Sequence, residues 1–381
     1  MRIVIALLLV ALTVLPAAAQ APPPVKVGFA SAMSGPSAIT GEGVRWAGTM
    51  LQEEYNAKGG VAGRKLEVYF ADNEGTPAGG VSAVRRLADV DKVDVIIGQT
   101  HSGACLGALP IVKELRIPQV TESCSNPKIR EIIGKNGNEW GFRVNPDDLM
   151  LANAFAKSIA RGAKSVTIIA QNDDFGRGAD AAYKSAFAKV GVSVAGSEFF
   201  DRGQADYRPL LTRVKRANPE AVLLVMLASD GSVFMRQVRE LGLTQKIYAR
   251  GSLATVEFLH QIRDNPSLGD GIVEATYWSA SIDPEWERKW LDRWKVPVRV
   301  HGGMAAITFR YAVVPAIELA AKKYGRVDRK TIRDALAEID VPNTPVGRVK
   351  FDDTNQAFIE MLLIEVRGGQ LKILEKVQFQ Q

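Results

Sequence analysis

The sequence predicts an α/β protein of two lobes, each built on a parallel-rich sheet, and three observations carry that prediction. From Val25 onward, short runs of β-branched residues alternate with longer stretches of helical spacing, the pattern of parallel strands covered by helices. The cycle halts around 142–146 and then begins again, giving two series of similar size. The 381 residues, 46% hydrophobic and 24% charged, suffice for two buried cores and fit neither a disordered nor a membrane-embedded chain.

The first series opens with an apolar strand over 25–30 that ends in a Ser/Gly/Pro loop, 31–37. A helix is predicted over 43–58, stopped by Gly59-Gly60 because glycine readily takes the left-handed conformation that closes helices. Strand 66–71, helix 76–90, strand 93–98, helix 102–116 and strand 119–121 follow. The second series runs helix 148–161, strand 165–170, helix 177–190, strand 192–200, helix 207–217, strand 221–227, helix 232–241, strand 246–250 and a short helix, 255–262. Strand 272–277 then leads into helices 284–295, 304–324 and 329–339. A closing hairpin, 358–366 with 371–377, turns at Arg367-Gly368-Gly369-Gln370. The late helices add bulk to one lobe while the hairpin can extend the sheet of the other. The chain is therefore expected to cross between lobes more than once, an arrangement suited to hinge closure.

The N-terminus reads as an export leader. Arg2 precedes an apolar stretch, 3–15, and Pro16 is followed by Ala17-Ala18-Ala19, the small-residue pattern at which such leaders are cut. The apolar run falls short of the ~18 residues a spanning helix needs, so 1–19 is assigned to a signal peptide, and no other window is expected to span a bilayer. Basic residues exceed acidic ones by 48 to 42, a net +6; without Arg2 the balance is 47 to 42, or +5. The basic residues are scattered and do not alternate with aromatics, which argues against nucleic acid as a partner. In an oxidising compartment, Cys105 and Cys124 are expected to form a disulfide, worth on the order of 3 kcal/mol for a loop of about 20 residues. Two buried free thiols are the alternative. A catalytic Cys105 with His101 lacks a third group to orient the imidazole.

Enzymatic motifs are missing from the sequence. The three histidines, His101, His260 and His301, stand apart from any His, Cys or Glu at zinc-binding spacing, so no metal is expected. Gly134-Lys135 lacks the hydroxyl residue and upstream glycine of a phosphate loop, and neither a G-x-G-x-x-G nor a G-x-S-x-G string occurs, so no cofactor is expected. Two loops that follow strands remain, the place where open α/β sheets bind ligands. One, 98–103, holds Ser102; the other, 121–127, holds Ser123 and Ser125. Unpaired N–H groups at a helix start suit a carboxylate, with the Ser102 and Ser125 hydroxyls adding hydrogen bonds; a plain N-cap role for Ser102 is the other reading. A Cys105–Cys124 bridge would tie the two loops together.

Several strings, in this order and behind a leader, resemble the periplasmic solute-binding proteins of branched-chain amino acid ABC transporters, the type I leucine/isoleucine/valine-binding family. They are Ala32-Met33-Ser34-Gly35-Pro36, Tyr55-Asn56-Ala57-Lys58-Gly59-Gly60, Ile97-Gly98, Phe175-Gly176-Arg177-Gly178, the stretch 236–243, and Gly347-Arg348-Val349-Lys350-Phe351-Asp352. The resemblance covers nearly the whole mature chain. It implies two Rossmann-like lobes, 25–144 plus 277–347 and 145–276 plus 348–381, joined by a three-segment hinge near 144–146, 275–278 and 347–351. It further implies a periplasmic, monomeric, non-enzymatic receptor that encloses a small carboxylate and delivers it to a membrane permease. The ligand positions it transfers are Ser102, Ser123 through its carbonyl, and Ser125 in the first lobe. From the second lobe come Phe175 as a stacking aromatic, Leu227 and Ala228; the N-terminal loop contributes around 37–40, with Thr40.

One departure bears on the ligand. Amino-acid binders of this family pair the ligand ammonium with an acidic residue of the second lobe, and here Gly251 stands at that place beside Arg250. An unpaired buried ammonium is costly by several kcal/mol. Either Glu122, Asp173 or Asp230 substitutes, or the ligand has no amino group. Arg250 can pair a second anionic group or the carboxylate itself, or serve only as a surface ion pair. Two ligand classes follow: an apolar α-amino acid, favoured by frequency in the family, and an amine-free aromatic or keto acid. The rival functions are a ligand-sensing subunit and an exported hydrolase.

Overall fold

The computed structural model describes residues 22–379, so the expected leader lies outside the described residues. Strands β1 (Val25–Ser31), β2 (Leu66–Asp72), β3 (Val95–Gly98), β4 (Gln119–Thr121) and β5 (Gly141–Arg143) form an all-parallel sheet in the order β2-β1-β3-β4-β5. Val25 lies opposite Leu66, and Ala30 opposite Gly98, so the loops after these strands open on one edge. Strands β6 (Ser165–Gln171), β7 (Ser193–Phe200), β8 (Ala221–Met226), β9 (Lys246–Gly251) and β10 (Val273–Thr276) belong to a second sheet. A separate antiparallel ribbon, β11 (Asp340–Thr344) with β12 (Gly347–Lys350), precedes β13 (Met361–Arg367) and β14 (Gln370–Val377). The second sheet runs β14-β13-β10-β9-β8-β6-β7, with the closing hairpin added antiparallel to β10. Burial follows position: β3 and β8 are buried at every residue, as central parallel strands must be, whereas the edge strand β14 alternates.

The helices are α1 (Ala38–Ala57), α2 (Pro77–Arg85), α3 (Ser102–Glu114), α4 (Lys128–Ile132), α5 (Asp148–Ala160), α6 (Asp174–Val190), α7 (Arg208–Ala217), α8 (Ala228–Glu240), α9 (Val256–Gln261), α10 (Pro284–Trp294), α11 (Val300–Thr308), α12 (Val314–Tyr324) and α13 (Arg329–Leu336). Four, α1, α6, α8 and α11, begin earlier than their apolar spacing indicates, and local contacts account for the first three. A short 3-10 turn, Gly35–Ser37, leads directly into α1, and the Gly41 N–H donates to the Ala32 carbonyl at 3.0 Å. Asp173 caps α6 by accepting from the Gly176 N–H at 3.0 Å, and the Leu227 carbonyl accepts the Gly231 N–H of α8 at 3.2 Å. Local capping, invisible to hydrophobic periodicity, sets these starts.

Contrary to the expectation that no window outside the leader is long and apolar enough to span a bilayer, Val300–Tyr324 passes that test by length and composition. Its composition reflects burial within the fold: α11 packs along α1, and Met304, Ile307, Phe309, Val313 and Ile317 are buried in the core. The helix widens into a π-type turn at Phe309–Val313, ahead of Pro315, whose ring nitrogen has no hydrogen to donate.

Three segments join the lobes. The chain leaves the first sheet after β5, leaves the second after β10 to form helices that pack on the first, and returns to the second through β13. The first and third segments run side by side and are locked by fully buried Arg143. Its Nε donates to Gln356 Oε1 at 2.5 Å, its Nη1 to the Asn126 carbonyl at 2.9 Å and its Nη2 to Asp147 Oδ2 at 3.1 Å. Gln356 Nε2 in turn donates to the Asn145 carbonyl at 2.8 Å.

Candidate ligand-binding site

Between the lobes lies a cavity with about 510 Å³ of empty space, its open mouth included, within the usual range for small-molecule sites. Its walls come from the loops and helix starts at the carboxyl ends of parallel strands, where both sheets point inward. The first sheet contributes Thr100, His101 and Ser102 after β3, and Ser123 after β4; the second contributes Phe175, Leu227, Arg250, Gly251, Thr276 and Tyr277. Val300, His301 and Met304 of α11 complete the lining. Of the residues predicted from sequence, Ser102, Ser123, Phe175, Leu227, Arg250 and Gly251 therefore meet at one cavity.

The polar groups on these walls are held by their neighbours. His101, not Ser102, occupies the N-cap of α3, and the Ser102 hydroxyl accepts the Asn126 N–H at 3.3 Å. The Thr100 hydroxyl lies 3.1 Å from His101 Nδ1, while His101 Nε2 is buried without a partner. Burial pushes the His101 imidazole well below its ordinary range, helped by nearby Arg202. Burial and then Arg250 push His301 down to about 4, so both rings are neutral at pH 7. The Tyr277 hydroxyl donates to the Ser123 carbonyl at 3.4 Å.

Arg250 is the one charged residue of the lining, and the lining holds no Asp or Glu. It is 3% exposed, and its Nε donates to Asp148 Oδ1 of fully buried Asp148 at 2.8 Å. Its guanidinium carbon lies 5.4 Å from the ring centroids of both Phe175 and Tyr277. Burial opposes its charge, yet Asp148 holds the guanidinium above its ordinary range. The surface ion pair considered from sequence is thus a buried one. At Gly251, φ is +148°, and a Cβ would stand 1.8 Å from the Met226 carbonyl oxygen. No acidic side chain fits there.

Three predicted positions fall outside the lining. The Ser125 hydroxyl is turned to Asp148 Oδ2, to which it donates at 2.9 Å, because α5 brings that carboxylate beneath the loop. Thr40 is buried in the first turn of α1. Ala228 opens α8 and donates its N–H to Ser252 Oγ at 2.7 Å. The expected disulfide is also corrected: Cys105 and Cys124 are buried free thiols within an apolar cluster with Leu109, Ile129 and Ile133. The Cys124 thiol donates to the Gln99 carbonyl, and burial raises its pKa. The two loops are tied by hydrogen bonds instead, with the Thr121 and Ser123 hydroxyls donating to the Gln99 and Thr100 carbonyls at 3.1 and 3.3 Å. Sequence reasoning passed over Tyr277, His301 and Met304 as lining residues. Only the placement of a crossing at 275–278 pointed towards Tyr277.

Two α/β lobes linked by three crossing segments flank this open-mouthed cavity. The chain matches the family described as periplasmic binding protein over residues 24–370, and it belongs to that family. It is 28% identical over 236 residues to an amino acid binding protein of Pseudomonas aeruginosa, an alignment that spans 61% of this chain and 62% of that one. It is 24% identical over 334 residues to a Leu/Ile/Val-binding protein of Rhizobium johnstonii, covering 87% of this chain and 88% of the relative. A solute-binding protein of an R. palustris ABC transporter, solved in complex with benzoate, superimposes with a TM-score of 0.82 at 17% identity, covering 94% of this chain and 98% of that one. The family comprises substrate receptors of ABC transporters, exported to the periplasm, rather than enzymes.

Proposed function

We propose that this chain captures a small carboxylic acid without an ammonium group and delivers it to an ABC permease, using lobes 25–144 plus 277–347 and 145–276 plus 348–381. The observation that carries the reading is a cavity lining without any carboxylate. An ammonium enclosed there has no counter-charge, a penalty of several kcal/mol. The three stand-ins lie outside the lining. Glu122 is buried with neither oxygen partnered, and burial pushes it up to about 8, so it is largely protonated at pH 7. Asp173 caps α6 and pairs with Arg202 at 3.5 Å. Asp230 accepts the Tyr207 hydroxyl and the Gly203 N–H, both at 2.8 Å. The Ser123 carbonyl, which the resemblance offers to an ammonium, accepts the Tyr277 hydroxyl at 3.4 Å and is a neutral acceptor that supplies no counter-charge.

In this mechanism the first lobe takes the carboxylate at the start of α3, where Ser102 lines the cavity and the partial positive charge of a helix start suits an anion. The second lobe closes over it with Phe175, Leu227 and Arg250, and the closed form presents the surface a permease reads. That benzoate occupies a protein of the same fold shows only that the fold can house such an acid. An apolar α-amino acid is the second reading, favoured by the names of the relatives at 24–28% identity. Protein refolded to strip carried solute separates the two by thermal shift and calorimetry, with benzoate and 4-methyl-2-oxopentanoate set against phenylalanine and leucine. The expected result is a shift with amine-free acids alone; a shift with the amino acids alone overturns the reading.

A further inference from the structure

Arg250 carries a hydrogen-bond donor that none of the described residues takes. Its Nε is used by Asp148, but its Nη2 is buried without a partner, and the side chain lines the cavity between Phe175 and Tyr277. A buried charged donor left unsatisfied is costly, and such groups in native sites generally have a partner from protein, water or ligand. Charge decides which oxygen suits it. Asp148 already neutralises Arg250 within the buried pair, so a second full anion at Nη2 adds uncompensated buried charge. Glu274 near this pair is pushed up to about 7 by burial, despite the pull of the Ala254 N–H and of Arg250, so the surroundings resist further negative charge. A neutral oxygen accepts the hydrogen bond without that penalty.

We propose that Arg250 binds a neutral acceptor oxygen of the solute, separate from its carboxylate, so that the preferred solutes are oxo or hydroxy monocarboxylic acids. The carboxylate then sits against the start of α3 and the second oxygen against the opposite lobe, so that an oxygenated acid makes polar contacts with both lobes. This rests on the reading of the solute as an amine-free acid and adds to it a specificity residue.

The test is calorimetry with matched probes: 4-methyl-2-oxopentanoate and 2-hydroxy-4-methylpentanoate against 4-methylpentanoate, with 2-methylbutanedioate as a dicarboxylate. In the unaltered protein the oxygenated acids are expected to bind roughly 10- to 100-fold tighter than the deoxy acid, the range of one hydrogen bond to a charged donor. The double variant Arg250→Met with Asp148→Asn removes both charges together, and the preference is expected to fall towards unity. Arg250→Lys, which keeps the pair but loses the Nη2 position, gives the same readout if the double variant does not fold. Equal affinities for deoxy and oxygenated acids, a preference unchanged in the variants, or a dicarboxylate that outbinds them all overturns the inference; deoxy-acid binding in the unaltered protein shows that the amine-free reading still stands. Binding of leucine with no response to any of the four acids overturns both.

Discussion

Gly251 links backbone conformation to solute chemistry in one residue. Its φ of +148° and the 1.8 Å approach of a would-be Cβ to the Met226 carbonyl admit glycine alone. The Gly251→Ala variant is expected to lose on the order of 2–3 kcal/mol of stability, read from denaturant unfolding without solute; unchanged stability would show that the strand end relaxes freely. The two serines that the sequence treats alike separate at this scale. Ser102 lines the cavity, so Ser102→Ala is expected to weaken solute binding by about 1–3 kcal/mol, with little change in unfolding because its 3.3 Å bond from Asn126 is long. Ser125 serves Asp148, so Ser125→Ala is expected to lower stability by about 1–2 kcal/mol. Calorimetry and unfolding on both variants check the contrast, and an affinity loss confined to Ser125→Ala would reverse the assignment.

The loop after β4 holds a pH-sensitive element. Glu122 is fully buried with both carboxyl oxygens unpartnered, and burial raises its pKa from 4.5 to about 8. The folded state therefore holds a proton that the unfolded chain releases. The contribution is fully present below about 4.5 and is lost as pH rises to about 8. Glu122→Gln, which is neutral throughout, is expected to flatten that part of the stability profile and to be more stable at pH 8 by on the order of a few kcal/mol. Thermal midpoints from pH 5 to 8.5 check this, and parallel profiles would show that Glu122 does not titrate there. How elements announce themselves in sequence follows the same physics. β8 was legible to within a residue because a buried parallel strand is a continuous apolar run. β5, β11, β12 and α4 are short or mixed in polarity and gave no signal. Strand-end loops disclosed Ser102 and Ser123, since that is where such sheets bind, whereas Phe175, Leu227, Arg250 and Gly251 were reached through the family resemblance. His301 and Met304 reach the cavity only because a late helix returns to the first lobe, a tertiary fact without local trace. Ser125 misled because its partner, Asp148, opens α5, beyond α4 and β5 in the chain.

At the scale of the whole molecule, the cavity exists because the lobes touch, and polar contacts across the rim of the cleft help to hold them together. Arg202, beyond β7, donates to Ser37 Oγ and to the Gly75 carbonyl across the cleft, each at 3.1 Å. Asn126 Nδ2 donates to the Asp174 carbonyl at 2.5 Å, and the Val300 N–H donates to Glu257 Oε2 at 3.1 Å. These bonds form only when the lobes meet, so they act on the closed state and leave each lobe's own core untouched. Apparent affinity scales with the population of the closed form, and 1 kcal/mol changes that population ratio about fivefold. Arg202→Ala removes both of its cross-cleft bonds, together with its pair to Asp173, at a residue outside the cavity lining. It is expected to weaken binding by about 1–2 kcal/mol, to enlarge the radius of gyration of the solute-free protein in solution scattering, and to leave the scattering of the saturated protein unchanged. Affinity and scattering both identical to the parent would mean that closure is set by the Arg143–Gln356 hinge rather than by the rim of the cleft.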